Sequence, residues 1–258
     1  MIPMGCAEQY RSRSVMKGVD DELDRRRDEP VWLFDLDDTL HDAHRSAMPE
    51  LRRAMGDYIE RELGLETAAS DALRRRYWLR YGATLLGLVR HHGVKAAHFL
   101  HHTHQLPGLE ARLRGQVHDI AALATLPGRR YVLTNAPRAY ALRVLGTLGL
   151  LPLFHGVITI EDMHMFGELR PKPDARMLRH VAARLGVAPA RCILVEDTLA
   201  HQKAARRIGM ATVWFKRWVR QRTPGEPRPQ RLPAYVDCRV HSVRELRLRR
   251  PGRRPAPP

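Results

Sequence analysis

Cysteine is scarce in this chain: only Cys6, Cys192 and Cys238 occur in 258 residues. They lie far apart, show no paired metal-ligand spacing and leave an odd thiol in any disulfide scheme. This excludes a disulfide-stapled scaffold and fits a reducing compartment. Long apolar runs are lacking as well. No stretch reaches the about eighteen apolar residues that a membrane-spanning helix needs. The opening MIPMGCAEQYRSRSVMKGVDDELDRRRDEP carries charges where a secretory signal needs an apolar run. A soluble, cytoplasmic protein with no membrane partner is the expectation. Internal repeats are absent, and the biased segment is the end, RPGRRPAPP.

Acidic residues are outnumbered, 28 against 44 Lys and Arg, for a net charge of +16. Such an excess can draw polyanions or anionic substrates. Its distribution matters more than its size, because from Arg217 to Pro258 there are 12 Arg and 3 acids. Arg-rich, Pro-rich ends are more often solvated than binding modules, so nucleic acid is a secondary expectation. A binding protein working through that end is the alternative of another class. Salt would discriminate, since nonspecific nucleic-acid binding weakens steeply as salt rises.

A hydrophobic content of 44% suffices for one sizeable core, or a core with a smaller insert. Val31 to Phe34 is a continuous apolar run ending at Asp35, the pattern of a strand buried on both faces of a parallel sheet. Similar short runs follow at Tyr131 to Leu133, Val157 to Ile160, Ile193 to Val195 and Thr212 to Phe215. Helical patterns at Pro137 to Leu148, Asp174 to Leu185 and Leu199 to Ile208 alternate with them, each followed by a stop glycine: Gly149, Gly186 and Gly209. Alternation of this kind predicts an α/β fold with a Rossmann-like parallel sheet and ligands at the carboxyl ends of its strands. The segment 44–123 breaks the alternation and reads as successive short helices, a small cap inserted after the first strand. The expected division is a mobile leader over 1–29 with a short helix around Asp20 to Arg27, a core over 30–43 and 124–250, the cap over 44–123, and a basic tail over 251–258.

Four elements carry chemistry. Directly after the first strand comes Asp35-Leu36-Asp37-Asp38-Thr39. Three carboxylates in four residues repel one another, and a fold tolerates them at a strand end only if a cation or protons offset the charge. Mg2+ suits such all-oxygen ligands, and a carboxylate held against a phosphate can act as a nucleophile. At the end of the next strand, Thr134-Asn135 offers a hydroxyl and a backbone N–H to phosphate oxygens at a helix start. Lys172, between Pro171 and Pro173, is a stiffly mounted cation suited to a carboxylate and a phosphoryl group. Glu196-Asp197, after Ile193-Leu194-Val195, adds acidic oxygens that could complete a metal site.

In their order and their placement at strand ends, these elements resemble the haloacid dehalogenase superfamily over about Val31 to Val240. The resemblance implies that Asp35 is the nucleophile and Asp37 the acid and base, with Thr134 binding phosphate and Lys172 completing the catalytic set. It implies Asp197 as a Mg2+ ligand with Asp35 and the Asp37 backbone carbonyl, and Glu196 as a second acidic group. Within the superfamily, FDLDDTL, RYGATLLGLVRHHG, LTNAPRAYALRVLGTLGL, FHGVITIEDM and RPKPDARML are most similar to pyrimidine 5′-nucleotidases, which implies hydrolysis of nucleoside monophosphates such as UMP or CMP through an aspartyl-phosphate. A sugar phosphate or phosphoglycolate phosphatase is the sibling reading. After Glu196-Asp197 the chain reads Thr198-Leu199-Ala200-His201, where relatives usually show a Ser and then an Asn. In the cap, Tyr81 is the favoured substrate contact, through the likeness of YGATLLGL to the nucleotidase cap. Trp214 and Trp218 are expected to close the core.

Overall fold

The computed structural model describes residues 29–218 and 231–247. The expected helix around Asp20 to Arg27, the leader up to residue 28 and the tail over 251–258 lie outside these residues.

A six-stranded, all-parallel sheet forms the core. Its strands are β1 (Val31–Phe34), β2 (Arg129–Leu133), β3 (Gly156–Ile158), β6 (Cys192–Glu196), β7 (Ala211–Phe215) and β8 (Cys238–Val240), in the order β3-β2-β1-β6-β7-β8. A two-stranded antiparallel hairpin, β4 (His164–Met165) and β5 (Glu168–Leu169), stands apart from it. Residues alternate between faces along a strand, and the chain uses both faces. Trp32 and Phe34 of β1, Ile193 and Val195 of β6 and Val213 and Phe215 of β7 join one apolar cluster, while Val31 and Leu33, with Cys192 and Leu194, join another on the opposite face. Helices cover each face, which is why these strands read as unbroken apolar runs.

The first face receives α7 (Val117–Ala124) and α8 (Arg138–Thr147), through Ala122, Leu123, Tyr140, Ala141, Val144 and Leu145. The second receives α9 (Ala175–Arg184) and α10 (Leu199–Arg207), through Met177, Leu178, Val181, Ala182, Ala204 and Ala205. Asp174 caps α9 by accepting from the backbone N–H groups of Arg176 and Met177. Trp214 is buried, and Trp218 packs against the first cluster.

Between β1 and β2 the chain is helical: α1 (Ala43–Ser46), α2 (Met48–Leu63), α3 (Thr67–Tyr81), α4 (Thr84–His92), α5 (Ala96–Thr103), α6 (Leu109–Arg112) and then α7. Its middle has an apolar cluster of its own, in which Tyr58, Ile59, Leu73, Tyr77, Leu85, Leu88, Phe99 and Leu100 are buried together with Ile160 from the sheet side. Its two ends behave differently. Leu51, Leu106, Leu109 and Leu113 share the cluster beneath the sheet, so the inserted segment is rooted in the core at both ends.

Because successive connections run β1-β2-β3 to one side and β6-β7-β8 to the other, the strand order reverses between β1 and β6. In open parallel sheets, that reversal opens a crevice at the carboxyl ends. The residues that leave β1 and β6 there are Asp35 and Asp197.

Candidate active site

The loop after β1 is shaped by its own carboxylates. Asp38 adopts a left-handed backbone conformation, φ 57°, which a short polar side chain tolerates better than most, and its Oδ1 accepts from the His44 N–H at 2.9 Å. The turn is pinned further by an isolated bridge between Asp37 and His41. Asp35 therefore stays in line with β1, its N–H bonded to the Val195 carbonyl, and both it and Asp38 are buried.

Lys172 reaches into this loop from outside the strand ends. Its ammonium donates to Asp35 Oδ1 and Glu196 Oε2, at 2.7 Å each, and the side chain is 1% exposed. Asn135 sets its height. The Asn135 amide donates to the Lys172 carbonyl and accepts from the Lys172 N–H, both at 2.9 Å, so the motif after β2 pegs the loop that carries the lysine. With its side chain so engaged, Asn135 has its backbone N–H to offer a phosphate. Thr134 is buried beside it, its Oγ accepting from the Ala136 N–H at 3.0 Å and its own proton left to donate.

The motif after β6 is held from two sides. The Trp214 indole donates to the Asp197 carbonyl at 2.8 Å, and buried Gln202 donates to the carbonyls of Glu196 and Val213 at 2.8 and 2.6 Å. Asp35, Glu196 and Asp197 each present a carboxylate oxygen, and these lie within 4.8 Å of one another. Asp37 does not join them with its side chain. Its Oδ1 instead accepts from Tyr140 at 2.7 Å and lies 3.0 Å from His41 Nε2. His201 Nδ1 lies 3.0 Å from Glu196 Oε2.

The electrostatics follow from one ammonium shared by buried acids. Burial works against the charge of Lys172, but Asp35 and Glu196 outweigh it and hold the lysine above its ordinary range. Burial likewise pushes Glu196 up, yet Lys172 and then His201 bring it well below the usual carboxylate range. Asp35 goes the other way, raised by burial and by the charge of Glu196. Asp37 is lowered, because the hydrogen bonds and charge of His41 and the Tyr140 hydroxyl overcome its burial. Three buried carboxyl groups thus share a site with one ammonium. A hard divalent cation with oxygen ligands fits that donor set, and the buried placement of the trio favours it.

Of the residues expected from sequence, the structure brings Asp35, Lys172, Glu196 and Asp197 together, with Asp37 one residue beyond Leu36 and Thr134 and Asn135 on the adjoining strand end. Tyr81 ends α3 on the cap side, its hydroxyl 2.5 Å from His91 Nε2. The next residue, Gly82, abuts the lysine loop: a Cβ there would sit 3.3 Å from Pro173 Cδ. Sequence reasoning did not single out His41 or Tyr140. His41 stands four residues after Asp37 inside the motif loop, a spacing that could have drawn notice; Tyr140 gives no signal beyond its place on the helix after Thr134-Asn135.

The sequence model of a family described as haloacid dehalogenase-like hydrolase matches residues 31–209. Among curated proteins, the chain is 22% identical over 195 residues to phosphate metabolism protein 8 of Saccharomyces cerevisiae, covering 71% of this chain and 60% of that one. It is 38% identical over 82 residues to validoxylamine A 7′-phosphate phosphatase of Streptomyces hygroscopicus subsp. limoneus, covering 32% and 36%. To glyceraldehyde 3-phosphate phosphatase of Methanopyrus kandleri it is 27% identical over 240 residues, covering 83% and 94%. The chain thus spans under two thirds of the first two relatives and nearly all of the third. The crystal structure of a HAD phosphatase from Thermococcus onnurineus shares the fold, with a TM-score of 0.56 at 22% identity over 85% of this chain and 96% of that one.

Proposed function

Because the chain belongs to the haloacid dehalogenase-like hydrolases, we propose that it releases phosphate from a small phosphate monoester, with Asp35 as the nucleophile and Asp37 as the acid and base. The observation that carries this reading is the buried Lys172 ammonium set between Asp35 and Glu196, with Asp197 alongside. Such an arrangement aligns a carboxylate for attack and provides positive charge where negative charge builds on a transferring phosphoryl group.

An Asp35 oxygen attacks phosphorus in line, the ester P–O bond breaks, and the leaving oxygen takes the proton carried by Asp37. Water then attacks the phosphorus of the aspartyl-phosphate, giving its proton to Asp37. The P–O bond to Asp35 breaks, inorganic phosphate leaves, and both residues end the cycle as they began. Asp37 is held as a carboxylate when alone; a phosphate dianion beside it raises its proton affinity for the first step. Thr134 and the Asn135 N–H are placed to donate to phosphoryl oxygens, and Lys172 stabilises their charge. Asp35, Asp197, Glu196 and the Asp37 carbonyl would hold Mg2+, which when bound neutralises the carboxylates and polarises the phosphoryl group. The helical insert acts as the cap that excludes water and selects the leaving group, with Tyr81 as its favoured substrate contact.

Nucleoside monophosphates of the UMP and CMP kind are the proposed substrates, supported by the likeness of the cap and motif segments to pyrimidine 5′-nucleotidases. A sugar or triose phosphate is the second reading, favoured by the names of the two phosphatase relatives. Phosphate release from a panel of nucleoside monophosphates, sugar phosphates and phosphoglycolate, with Mg2+ or EDTA, tests both. Magnesium-dependent release favouring UMP or CMP and lost in Asp35→Asn is the expected result. Preference for a sugar or triose phosphate keeps the chemistry and overturns the nucleotide; no turnover of any ester overturns the chemistry.

A further inference from the structure

Two buried side chains contact Asp37, and the chemistry proposed above leaves both without a task. Tyr140 donates its hydroxyl to Asp37 Oδ1 at 2.7 Å, and His41 Nε2 lies 3.0 Å from the same oxygen; each of the two side chains is 1% exposed. Both contacts fall on Oδ1. Among the described residues, Oδ2 has no hydrogen-bond partner, so one oxygen is fixed and the other is left to face the reacting ester.

Each holder is itself held. His41 turns its other ring nitrogen toward Ser46 Oγ, 3.3 Å away, and Ser46 donates to the Asp42 carbonyl at 2.8 Å, so the imidazole is anchored inside the motif loop. The Tyr140 ring meets His104 edge to face, with centroids 5.7 Å apart, where the helical insert returns to the core. One turn further along α8, Arg143 donates to the carbonyls of Gln105 and Leu106 at 2.6 and 3.2 Å and to Glu110 at 2.7 Å. The helix that bears the tyrosine therefore grips the returning chain, and the hydroxyl is delivered from a docked element. A carboxylate that must protonate a leaving oxygen needs its free oxygen aimed to within hydrogen-bond reach, and two donors on the opposite oxygen supply that aim.

We propose that Tyr140 and His41 are positioning residues for Asp37, clamping its Oδ1 so that Oδ2 alone is presented to the leaving-group oxygen. The inference rests on the acid role proposed for Asp37. It predicts a loss that depends on the leaving group, because an ester with a good leaving group needs little protonation and one with a poor leaving group needs much.

The test is kcat/KM, which reports only steps through ester cleavage, measured with Mg2+ for p-nitrophenyl phosphate, phenyl phosphate and an alkyl phosphate. Tyr140→Phe keeps the ring on His104 and removes only the hydroxyl. It should lower kcat/KM about 10- to 100-fold for the alkyl ester and by less than about 3-fold for the nitrophenyl ester, a fraction of what a whole general acid supplies. His41→Ala should show the same slope against leaving group, and His41→Gln, which restores a donor near Nε2, should regain most of the alkyl-ester rate. Asp37→Asn marks the limit of the effect. A uniform loss across the three esters, or no loss while Asp37→Asn is selective, overturns the inference and leaves the phosphatase reading standing. Wild type that turns over none of them overturns the phosphatase reading instead.

Discussion

Lys172 offers the sharpest perturbation, since one atom serves two buried acids. Its ammonium is 2.7 Å from both Asp35 and Glu196, and the acids are 7% and 0% exposed. Lys172→Met keeps most of the side chain's volume and removes the charge. Taking one partner from a buried ion pair costs about 3–5 kcal/mol, because the charge left behind is neither solvated nor paired. For a chain of this size, that is a fall in Tm of roughly 6–20 °C, at about 2–4 °C per kcal/mol. The assay is urea and thermal unfolding in EDTA, against wild type. The deficit should also depend on pH. Asp35 is already raised, so its protonated form is the one favoured in the folded state; stability from such an acid is present at low pH and is lost as pH rises through the folded value. Without the ammonium it rises further, so the deficit should be larger at about pH 8 than at about pH 5. Added Mg2+ should raise the stability of wild type and variant alike, since a cation that binds only the folded state contributes about 2.7 kcal/mol at a hundredfold excess over its Kd. Unfolding of Lys172→Met in EDTA within about 0.5 kcal/mol of wild type, at both pH values, would refute the view that this ammonium offsets the buried charge.

Two predictions concern the helical insert. A Cβ at Gly87 would sit 2.1 Å from Tyr77 Cγ, so Gly87→Ala should cost about 1–3 kcal/mol or more by forcing the ring out of its cluster, and denaturant titration of Gly87→Ala alone and combined with Tyr77→Leu checks it: the second change should recover part of the loss. His104 is lowered by burial from 6.5 to about 4, so the folded state favours its neutral form; stability is lost as pH falls from about 6.5 toward 4, by up to about 3 kcal/mol, and His104→Gln should flatten that part of the pH–stability curve, an unchanged slope counting against it.

The parts of this fold that could be read from sequence are those in which local pattern and burial agree. Val31 to Phe34 reads as a strand because helices cover both faces of β1, and the stop glycines after α8, α9 and α10 take the left-handed conformation, with φ of 66°, 70° and 87°. The carboxylates announced themselves because three acids at a strand end make little physical sense without a counter-charge. What stayed hidden depends on docking rather than on pattern. Tyr140 meets Asp37 across 103 residues, and Asn135 pegs the Lys172 main chain across 37. Periodicity marked 44–123 as helical but could not tell Leu109, which joins the sheet's cluster, from Leu88, which joins the insert's own. Both are apolar residues on short helices, and only the tertiary partner separates them.

Asp35 and Asp37 show how partners, not residue type, divide labour within one loop. They are chemically identical and two positions apart, yet burial and the charge of Glu196 push one carboxyl up while His41 and Tyr140 pull the other down. Groups driven apart in this way are suited to different steps of one reaction. Asp35 lies against an ammonium and two further acids, where a bound cation would favour its ionised, attacking form. Asp37 is held by His41 and Tyr140 on one oxygen, away from the trio, and its proton affinity answers as well to the charge of whatever sits before the other oxygen. On the proposed roles, a phosphate dianion raises that affinity when a proton is needed, and loss of the Asp35 carboxylate charge in the aspartyl-phosphate lowers it when water must be activated. If Asp37 has the role proposed above, the geometry around Oδ1 is what lets one carboxylate serve as acid first and base second.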